Sequence, residues 1–200
     1  MELDSKGLET WQKIGVACLL VVIPGFIGWC VEYFFAWYDN GMVEFYYKGG
    51  NFLPWINMYS IGAFLIFLFT YRYKNNPWKV LFVSILTCGI FEFLTGFVLD
   101  KCFQIRFWDY KNEILNLYGY ICLLSLAGFG IGGIFLIYFL LPYLVKLSKR
   151  IPKKTFLTIS IVLCSLVLCD EIYNFFITKV FNLPTAEDVY TSIGIKYLTK

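Results

Sequence analysis

Long apolar runs separated by short charged stretches make up most of this chain. The runs cover residues 14–31, 52–71, 80–99, 114–145 and 155–178. A helix crosses a bilayer in about 20 apolar residues, so these runs predict transmembrane helices. The fourth run is too long for one perpendicular span, and we expect its first segment to lie in the membrane interface or to re-enter before a single helix. The pattern predicts an all-α, polytopic membrane helical bundle with about five transmembrane helices, folded as a single integral membrane domain over residues 1–200.

The composition supports a membrane protein and removes several other classes. The 200 residues are 59% hydrophobic and 21% aromatic, and only 16% are charged, whereas a soluble domain exposes far more charge. The net charge of +3 is spread over short loops, so we expect the lipid bilayer as a partner and no nucleic acid. The chain has no histidine, and its seven cysteines form no CxxC pair, so we expect no metal and no other cofactor.

Basic residues are unevenly distributed between the two ends of the predicted helices. The end that holds residues 1–13, 72–79 and 146–154 carries more Lys and Arg than the opposite end. Cytoplasmic loops carry the excess of basic residues, so we predict a cytoplasmic N-terminus. Residues 1–13 then form a cytoplasmic arm, and residues 181–200 form an extracytoplasmic tail.

Four carboxylates interrupt the apolar runs, and the predicted topology gives their depth. Glu32 lies about 27 Å from the start of its run, Glu92 about 18 Å, and the adjacent Asp170 and Glu171 about 22–24 Å. In a hydrocarbon core about 30 Å thick, all of them fall in the outer half. Carboxylates at this depth are costly unless they are paired or hydrated. We therefore expect them to gather around a recess that opens away from the cytosol.

Helical spacing separates the two adjacent acids of the fifth run. Glu171 shares a polar stripe with Asn174, whereas Asp170 is rotated by about 100° around the helix. We expect Glu171 to face the recess, and Asp170 to pair with an extracellular Lys or Arg or with a group on the first helix. Asn57 and Tyr59 lie near the outer start of the second helix. The alternative is a closed network, in which the acids bond to Asn, Tyr or Trp side chains and only fix the packing.

A polar loop, CFQIRFWDYKNEILN, precedes the predicted fourth helix. Arg106 suits either a buried carboxylate or an anionic headgroup. Trp108 and Tyr110 suit the aromatic belt at the membrane interface. We expect Asp109 to bond nearby backbone N–H groups and Asn116 to cap the next helix. The alternative function for this loop is a lid that closes the recess.

Glycine residues predict where helices approach each other. Gly25 and Gly28 share a face with Glu32, which allows close helix packing or leaves room for a ligand. Gly128 and Gly132 form a GxxxG pair, which predicts a packing seam.

Four stretches carry a resemblance to a known family: GWCVEYFF, NFLPWINMYSIGAF, GIFEFLTG and FWDYKNEILNLYGYICLLSLAGFG. Together they span about residues 28–130. The combination resembles a bacterial membrane family labelled putative ABC-transporter type IV, a permease-like group. The resemblance implies an integral, multi-pass protein of the cell membrane with a transport label. The chain holds no G-x-x-x-x-G-K-[ST] motif, so ATP-driven transport would need a separate ATPase subunit.

These observations favour a permease-like component of a transporter that binds a polar or cationic solute in an outward-facing acidic pocket. Two other classes stay open. One is a non-catalytic membrane assembly or regulatory subunit, and the other is an intramembrane enzyme that uses the same acids on lipid or isoprenoid substrates. An oligomer is compatible with each of them. We assign no catalytic residue, and the candidate ligand-binding residues are Glu32, Asn57, Tyr59, Glu92, Arg106, Trp108, Asp109, Tyr110, Asn116, Asp170, Glu171 and Asn174.

Overall fold

The computed structural model describes residues 7–39, 47–48, 51–104, 106, 108–195 and 197–198. Most of the residues in these ranges are helical. The α-helices, in chain order, are α1 (Thr10–Asp39), α2 (Asn57–Thr70), α3 (Pro77–Phe103), α4 (Leu123–Phe135), α5 (Leu141–Arg150), α6 (Lys153–Ile172), α7 (Thr178–Phe181) and α8 (Ala186–Ser192).

Short elements connect several of these helices. A 3-10 turn at Tyr71–Tyr73 follows α2. π-Helical turns at Leu136–Leu140 and Tyr173–Ile177 join α4 to α5 and α6 to α7, so that each pair forms one continuous rod. Two strands of two residues each, β1 (Tyr47–Lys48) and β2 (Tyr197–Leu198), pair in parallel.

Four helical segments in the described portion of the chain are long and apolar enough to cross a membrane: Thr10–Phe35, Pro77–Phe103, Leu123–Arg150 and Lys153–Ile172. Helix α2 would be the fifth of the predicted spans, but it is shorter than these four. Its 14 residues rise only about 21 Å. The predicted all-α, polytopic membrane bundle with about five helices is confirmed. The cytoplasmic position of the N-terminus stays a prediction.

The second helix begins later than its apolar run predicts. The run starts at residue 52, whereas α2 begins at Asn57. Residues 51–56, which we call the strap, lie outside helical geometry. The backbone N–H groups of Phe52 and Leu53 donate to the side chain of Asp170. A distant side chain therefore binds amide groups that sequence periodicity assigned to a helix.

The long apolar run at 114–145 contains one helical rod, as predicted. Residues 114–122 form an irregular loop, and the helix begins at Leu123. Cys122 caps this helix, because Cys122 and Ser125 each accept a hydrogen bond from the backbone N–H of the other. Asn116 was predicted to cap it and does not, because it bonds within the loop instead.

The described residues form two compact units. Unit 1 lies within Met1–Ile61 and Val145–Thr199, and unit 2 lies within Gly62–Leu144. Unit 1 contains α1, the strap, α6, α7 and α8, and unit 2 contains α3 and α4. The assignment of residues 1–200 to one domain stays a prediction.

The core of unit 1 is the packing of α1 against α6. The ring of Phe156 lies so close to Gly15 that an added Cβ would overlap it. Trp11 packs edge-on against the same ring, with 6.1 Å between the ring centroids. Buried Gln12 donates to the carbonyl and the hydroxyl of Ser148, at 3.3 and 3.2 Å. Both helices therefore start at the same end of unit 1, and their acids lie toward the other end.

The core of unit 2 is the packing of α3 against α4. Gly130 and Gly133 face α3, and a Cβ added at Gly133 would overlap the side chain of Ser84. Gly128 and Gly132 point elsewhere, because a Cβ added at either would meet nothing within 4 Å in the described chain. The predicted seam is therefore wrong within this chain. Residues three apart share a helix face, and here that pair is Gly130 and Gly133.

Candidate functional site

Asp170 of α6 fixes the strap in unit 1. Its Oδ1 accepts the backbone N–H of Phe52 at 2.9 Å, and its Oδ2 accepts that of Leu53 at 2.6 Å. The side-chain amide of Asn174 donates to Oδ1 at 2.8 Å. Among the described residues its partners are amide N–H groups, and its predicted pairing with Lys, Arg or the first helix stays a prediction. Three amide N–H groups therefore converge on this buried side chain, which anchors the strap to α6.

Glu171 binds the first residue of the strap and the residue that directly follows the strap. Its Oε2 accepts the side-chain amide of Asn51 at 3.0 Å, and its Oε1 accepts that of Asn57 at 2.6 Å. Asn51 opens the strap and Asn57 is the first residue of α2. Both of these described donors are neutral amides. Glu171 is half-buried, and it differs in this respect from its buried neighbour.

Glu32 of α1 reaches the same end of α2. The hydroxyl of Tyr59 donates to its Oε1 at 2.9 Å. The Tyr59 ring lies directly against Gly28, where an added Cβ would overlap it. Gly25, which precedes Gly28 by about one turn, lies against Trp55 and Ser60 in the same way. The glycines predicted to allow close packing beside the acid therefore do so.

Two backbone carbonyls of α1 accept hydrogen bonds from the strap and from α2. Pro24 interrupts its hydrogen-bond ladder. Nearby, the hydroxyl of Ser60 donates to the carbonyl of Val21, and the N–H of Ile56 donates to the carbonyl of Gly25 at 3.2 Å. These contacts fix the last residue of the strap and the first turn of α2 against α1.

Helix α8 of the C-terminal tail also bonds to this network. The side-chain oxygen of Asn174 accepts the backbone N–H of Ala186 at 2.9 Å, which ties α8 to the end of α6. The hydroxyl of Tyr190 donates to the carbonyl of Phe52 at 2.8 Å. Sequence reasoning missed Tyr190 and Asn51, because no periodicity or motif marks a partner that lies more than 100 residues away.

Six of the predicted site residues therefore take part in contacts within unit 1. They surround the strap and the first turn of α2, and they are Glu32, Asn57, Tyr59, Asp170, Glu171 and Asn174.

Glu92 belongs to unit 2 and has its own partner there. It is buried on α3, and the hydroxyl of Tyr110 donates to its Oε1 at 3.2 Å. The rings of Trp108 and Tyr120 lie against Gly96, one turn further along the same helix. That Glu92 shares a recess with the acids of unit 1 stays a prediction.

The loop of residues 104–122 is held by its own polar groups. Arg106 Nη2 donates to the carbonyl of Tyr118, and the indole N–H of Trp108 donates to that of Tyr120, both at 2.8 Å. Asp109 accepts the backbone N–H of Lys111 at 3.1 Å, as predicted. The Asp109 carboxylate also lies 3.6 Å from the guanidinium of Arg106 and 3.5 Å from the ammonium of Lys111. Arg106 thus pairs with a loop carboxylate and not with a buried one.

Asn116 folds the same loop into a tight turn. Its amide nitrogen donates to the carbonyls of Lys111 and Glu113, each at 3.0 Å, and its oxygen accepts the N–H of Gly119 at 3.2 Å. Gly119 has a φ of +75°, in the left-handed region that favours glycine. This geometry turns the side chain of Asn116 back into the loop, away from the helix it was predicted to cap.

Hydrogen bonds shift the pKa values of two groups outside the membrane-spanning segments. The pKa of Tyr120 is raised, because its hydroxyl donates to the carboxylate of Asp100, and burial and the nearby negative charge act in the same direction. The pKa of Asp188 is lowered, because the backbone N–H and the hydroxyl of Thr185 donate to it. Among the described residues, no group of three or more His, Cys, Asp or Glu side chains is placed to hold a metal ion.

Comparison with known proteins gives one result that bears on identity. Searches of the curated proteins and of the solved structures found no match to the chain. A family model described as putative ABC-transporter type IV matches residues 19–175, which include α2, α3, the 104–122 loop and all twelve candidate residues. The chain is therefore a membrane protein that belongs to the putative ABC-transporter type IV family.

Proposed function

We propose that the chain is a permease-like component of a transporter in the cell membrane, and that it binds a polar or cationic solute at an acidic site open to the outside. The observation that carries this proposal is that Glu32 and Glu171 each accept a hydrogen bond from a residue in the first turn of α2, directly after the non-helical strap.

A short helix preceded by irregular backbone is unusual at membrane depth. Asp170, which binds the strap, lies about 26 Å along α6 from Lys153. Irregular backbone at such depth is tolerated where it is buried in protein or lines a hydrated cavity. Transporters place solute sites at such interrupted helices, where backbone and side-chain polar groups converge. The strap and the first turn of α2 have this form.

The charge at this site favours a cationic or strongly polar solute. The described partners of Glu171 are the neutral amides of Asn51 and Asn57. A cation or an ammonium group would replace one of these donors and would compensate a charge that the amides do not. The hydroxyl of Tyr59 and the two Asn side chains supply the remaining polar contacts for a bound solute.

In this proposal, a separate subunit supplies the energy for transport. The chain lacks the phosphate-binding motif G-x-x-x-x-G-K-[ST]. We therefore assign ATP hydrolysis to a separate ATPase subunit, as the family description suggests. Co-purification of such a subunit with the full chain would support this assignment.

Thermal unfolding with a panel of solutes tests the proposed site. The panel contains monovalent and divalent cations, primary and quaternary amines and basic amino acids, each added to the purified chain. A solute that stabilises the wild type is expected to lose its effect in Glu171→Gln, which removes the charge and keeps the shape. Glu187→Gln is the matched control, because it makes the same change at an exposed position of α8. Equal stabilisation of wild type and Glu171→Gln would contradict the proposal.

A second candidate function rests on the bonding of the acids. Asp170 and Glu171 bond to groups of the same chain, which is also the form of a closed structural network. This favours a membrane assembly or regulatory subunit. A stable complex with another membrane protein, together with unchanged assembly of that complex in Glu171→Gln and no solute binding, would favour this second function over the first.

A further inference from the structure

A nine-residue turn in unit 2 concentrates positive charge outside the candidate site. Residues 71–79 comprise the connection from α2 and the first three residues of α3, and they contain Arg72, Lys74 and Lys79 but no acidic residue. The guanidinium of Arg72 lies 4.8 Å from the centroid of the Tyr73 ring, and the ammonium of Lys79 lies 6.0 Å from the same centroid. Two cations thus share one aromatic ring across the turn.

The turn is held in place by several other contacts. The Lys74 ammonium lies 4.9 Å from the centroid of the Tyr71 ring, and the hydroxyl of Tyr138 donates to the Lys74 carbonyl at 2.8 Å. The side chain of Asn76 accepts the N–H of Lys79 at 3.1 Å and caps α3. Arg72 and Lys79 are both exposed, so their charges are fixed in position and accessible.

An apolar stripe leads away from this turn along α3. Trp78, Phe82, Leu86 and Ile90 follow each other at intervals of four residues, which places them on one helix face. Their side chains are between 52% and 70% exposed. The stripe starts beside Lys79, at the end of a membrane-spanning helix. The positive charges of Arg72 and Lys79, which could bind a lipid phosphate, therefore lie next to an apolar surface that fits an acyl chain.

We infer that the 71–79 turn binds an anionic phospholipid. Its phosphate lies against Arg72 and Lys79, and an acyl chain follows the stripe that begins at Trp78. A zwitterionic lipid fits less well, because its own ammonium group would face the same cations. Free phosphate lacks the acyl contact. Lys and Arg side chains near an anionic membrane surface each add about fivefold to its binding.

Native mass spectrometry of the purified full chain tests this inference. The chain is mixed with dioleoyl phosphatidylglycerol or with dioleoyl phosphatidylcholine, and the fraction carrying one bound lipid is measured. We expect the wild type to prefer the anionic lipid by on the order of tenfold. The double variant Arg72→Gln/Lys79→Gln is expected to lose most of this preference, and Lys79→Gln alone to lose about fivefold.

A charge-matched control separates a defined site from general attraction. Lys153→Gln/Lys154→Gln removes the same charge from two exposed residues at the start of α6, and we expect it to keep the preference. An equal loss in both double variants would overturn the inference, because it would show a response to net charge alone.

Two further arms cover the remaining outcomes. Tyr73→Phe is expected to behave as the wild type and Tyr73→Leu to bind less anionic lipid, because only the first keeps the ring under both cations. Inorganic phosphate at millimolar concentration is expected not to displace the lipid. A wild type without preference, or displacement by phosphate, would overturn the inference and would leave the turn to another partner such as a protein subunit.

Discussion

Two non-helical segments of this protein are held in opposite ways. The strap, residues 51–56, depends on groups far away in the sequence, because Asp170, Glu171 and Tyr190 bond to it from more than 100 residues away. The 104–122 loop depends mainly on itself, because Arg106, Trp108 and Asn116 bond to carbonyls at most 12 residues away. Both segments lie within the region that the family model matches.

This difference separates a segment that can respond to its surroundings from one that keeps its own shape. The strap loses its anchors if α6 or the tail moves, whereas the loop keeps most of its bonds. A solute that competes for Glu171 would therefore act on the strap directly. Single substitutions can disrupt the strap and the loop separately.

The largest effect is expected for Asp170→Asn. The substitution removes a charged acceptor and turns an amide group toward a backbone N–H, so one buried donor loses its partner. We expect the free energy of unfolding to fall by about 3 kcal/mol. Chemical denaturation in detergent measures it, with the exposed Glu187→Gln as a control that should leave the value unchanged. An unchanged value for Asp170→Asn would show that Asp170 contributes little to holding the strap.

Gly119→Ala breaks the loop and leaves the strap intact. The residue has a φ of +75°, and an added Cβ would overlap the Asp109 carboxylate. We expect a loss of about 2 kcal/mol. Gly194→Ala is the matched control, because its φ is +82° but an added Cβ meets nothing within 4 Å. This substitution should cost about 1 kcal/mol. Equal losses at both positions would show that the overlap with Asp109 does not contribute.

Trp108→Phe sharpens the comparison by removing one bond from the loop. The indole N–H donates to the carbonyl of Tyr120 at 2.8 Å, so we expect a loss of about 1 kcal/mol. Trp78→Phe, at a side chain that is 70% exposed, should have no measurable effect. A loss that is as large at Trp78 would mean that the two indoles contribute through packing alone.

The smallest effect is a pH dependence confined to the loop. The pKa of Tyr120 is raised by its hydrogen bond to Asp100. A raised pKa means that this bond stabilises the fold below the ordinary tyrosine pKa of about 10 and is lost as the pH rises through the folded-state value. The stability of the wild type should therefore fall more steeply above about pH 10 than that of Tyr120→Phe. Parallel curves would contradict this.

Local patterns predicted much of the fold and some of the site. The apolar runs located the membrane helices, and the glycines beside Glu32 indicated close packing, which Tyr59 confirms. Asp109 bonds to a backbone N–H as its sequence context suggested. The apolar runs, the glycine spacing and the residues beside Asp109 are local features, so the sequence carries them directly.

The rest depends on contacts that no local pattern encodes. The late start of α2 follows from Asp170, more than 100 residues away. The true seam glycines are Gly130 and Gly133, because the rotation of α4 against α3 is set by side-chain packing. Asn116 is turned inward by the left-handed backbone at Gly119. The first two outcomes were decided by tertiary structure, and the third by the turn within the loop itself.

Amide hydrogen exchange of the strap tests the central claim most directly. If α6 carboxylates hold the strap, the N–H groups of Phe52 and Leu53 exchange slowly in the wild type and much faster in Asp170→Asn, while the amides of α1 stay unchanged. Equally slow exchange of both amides in the variant would show that Asp170 does not hold this segment, and the account of the site would be wrong.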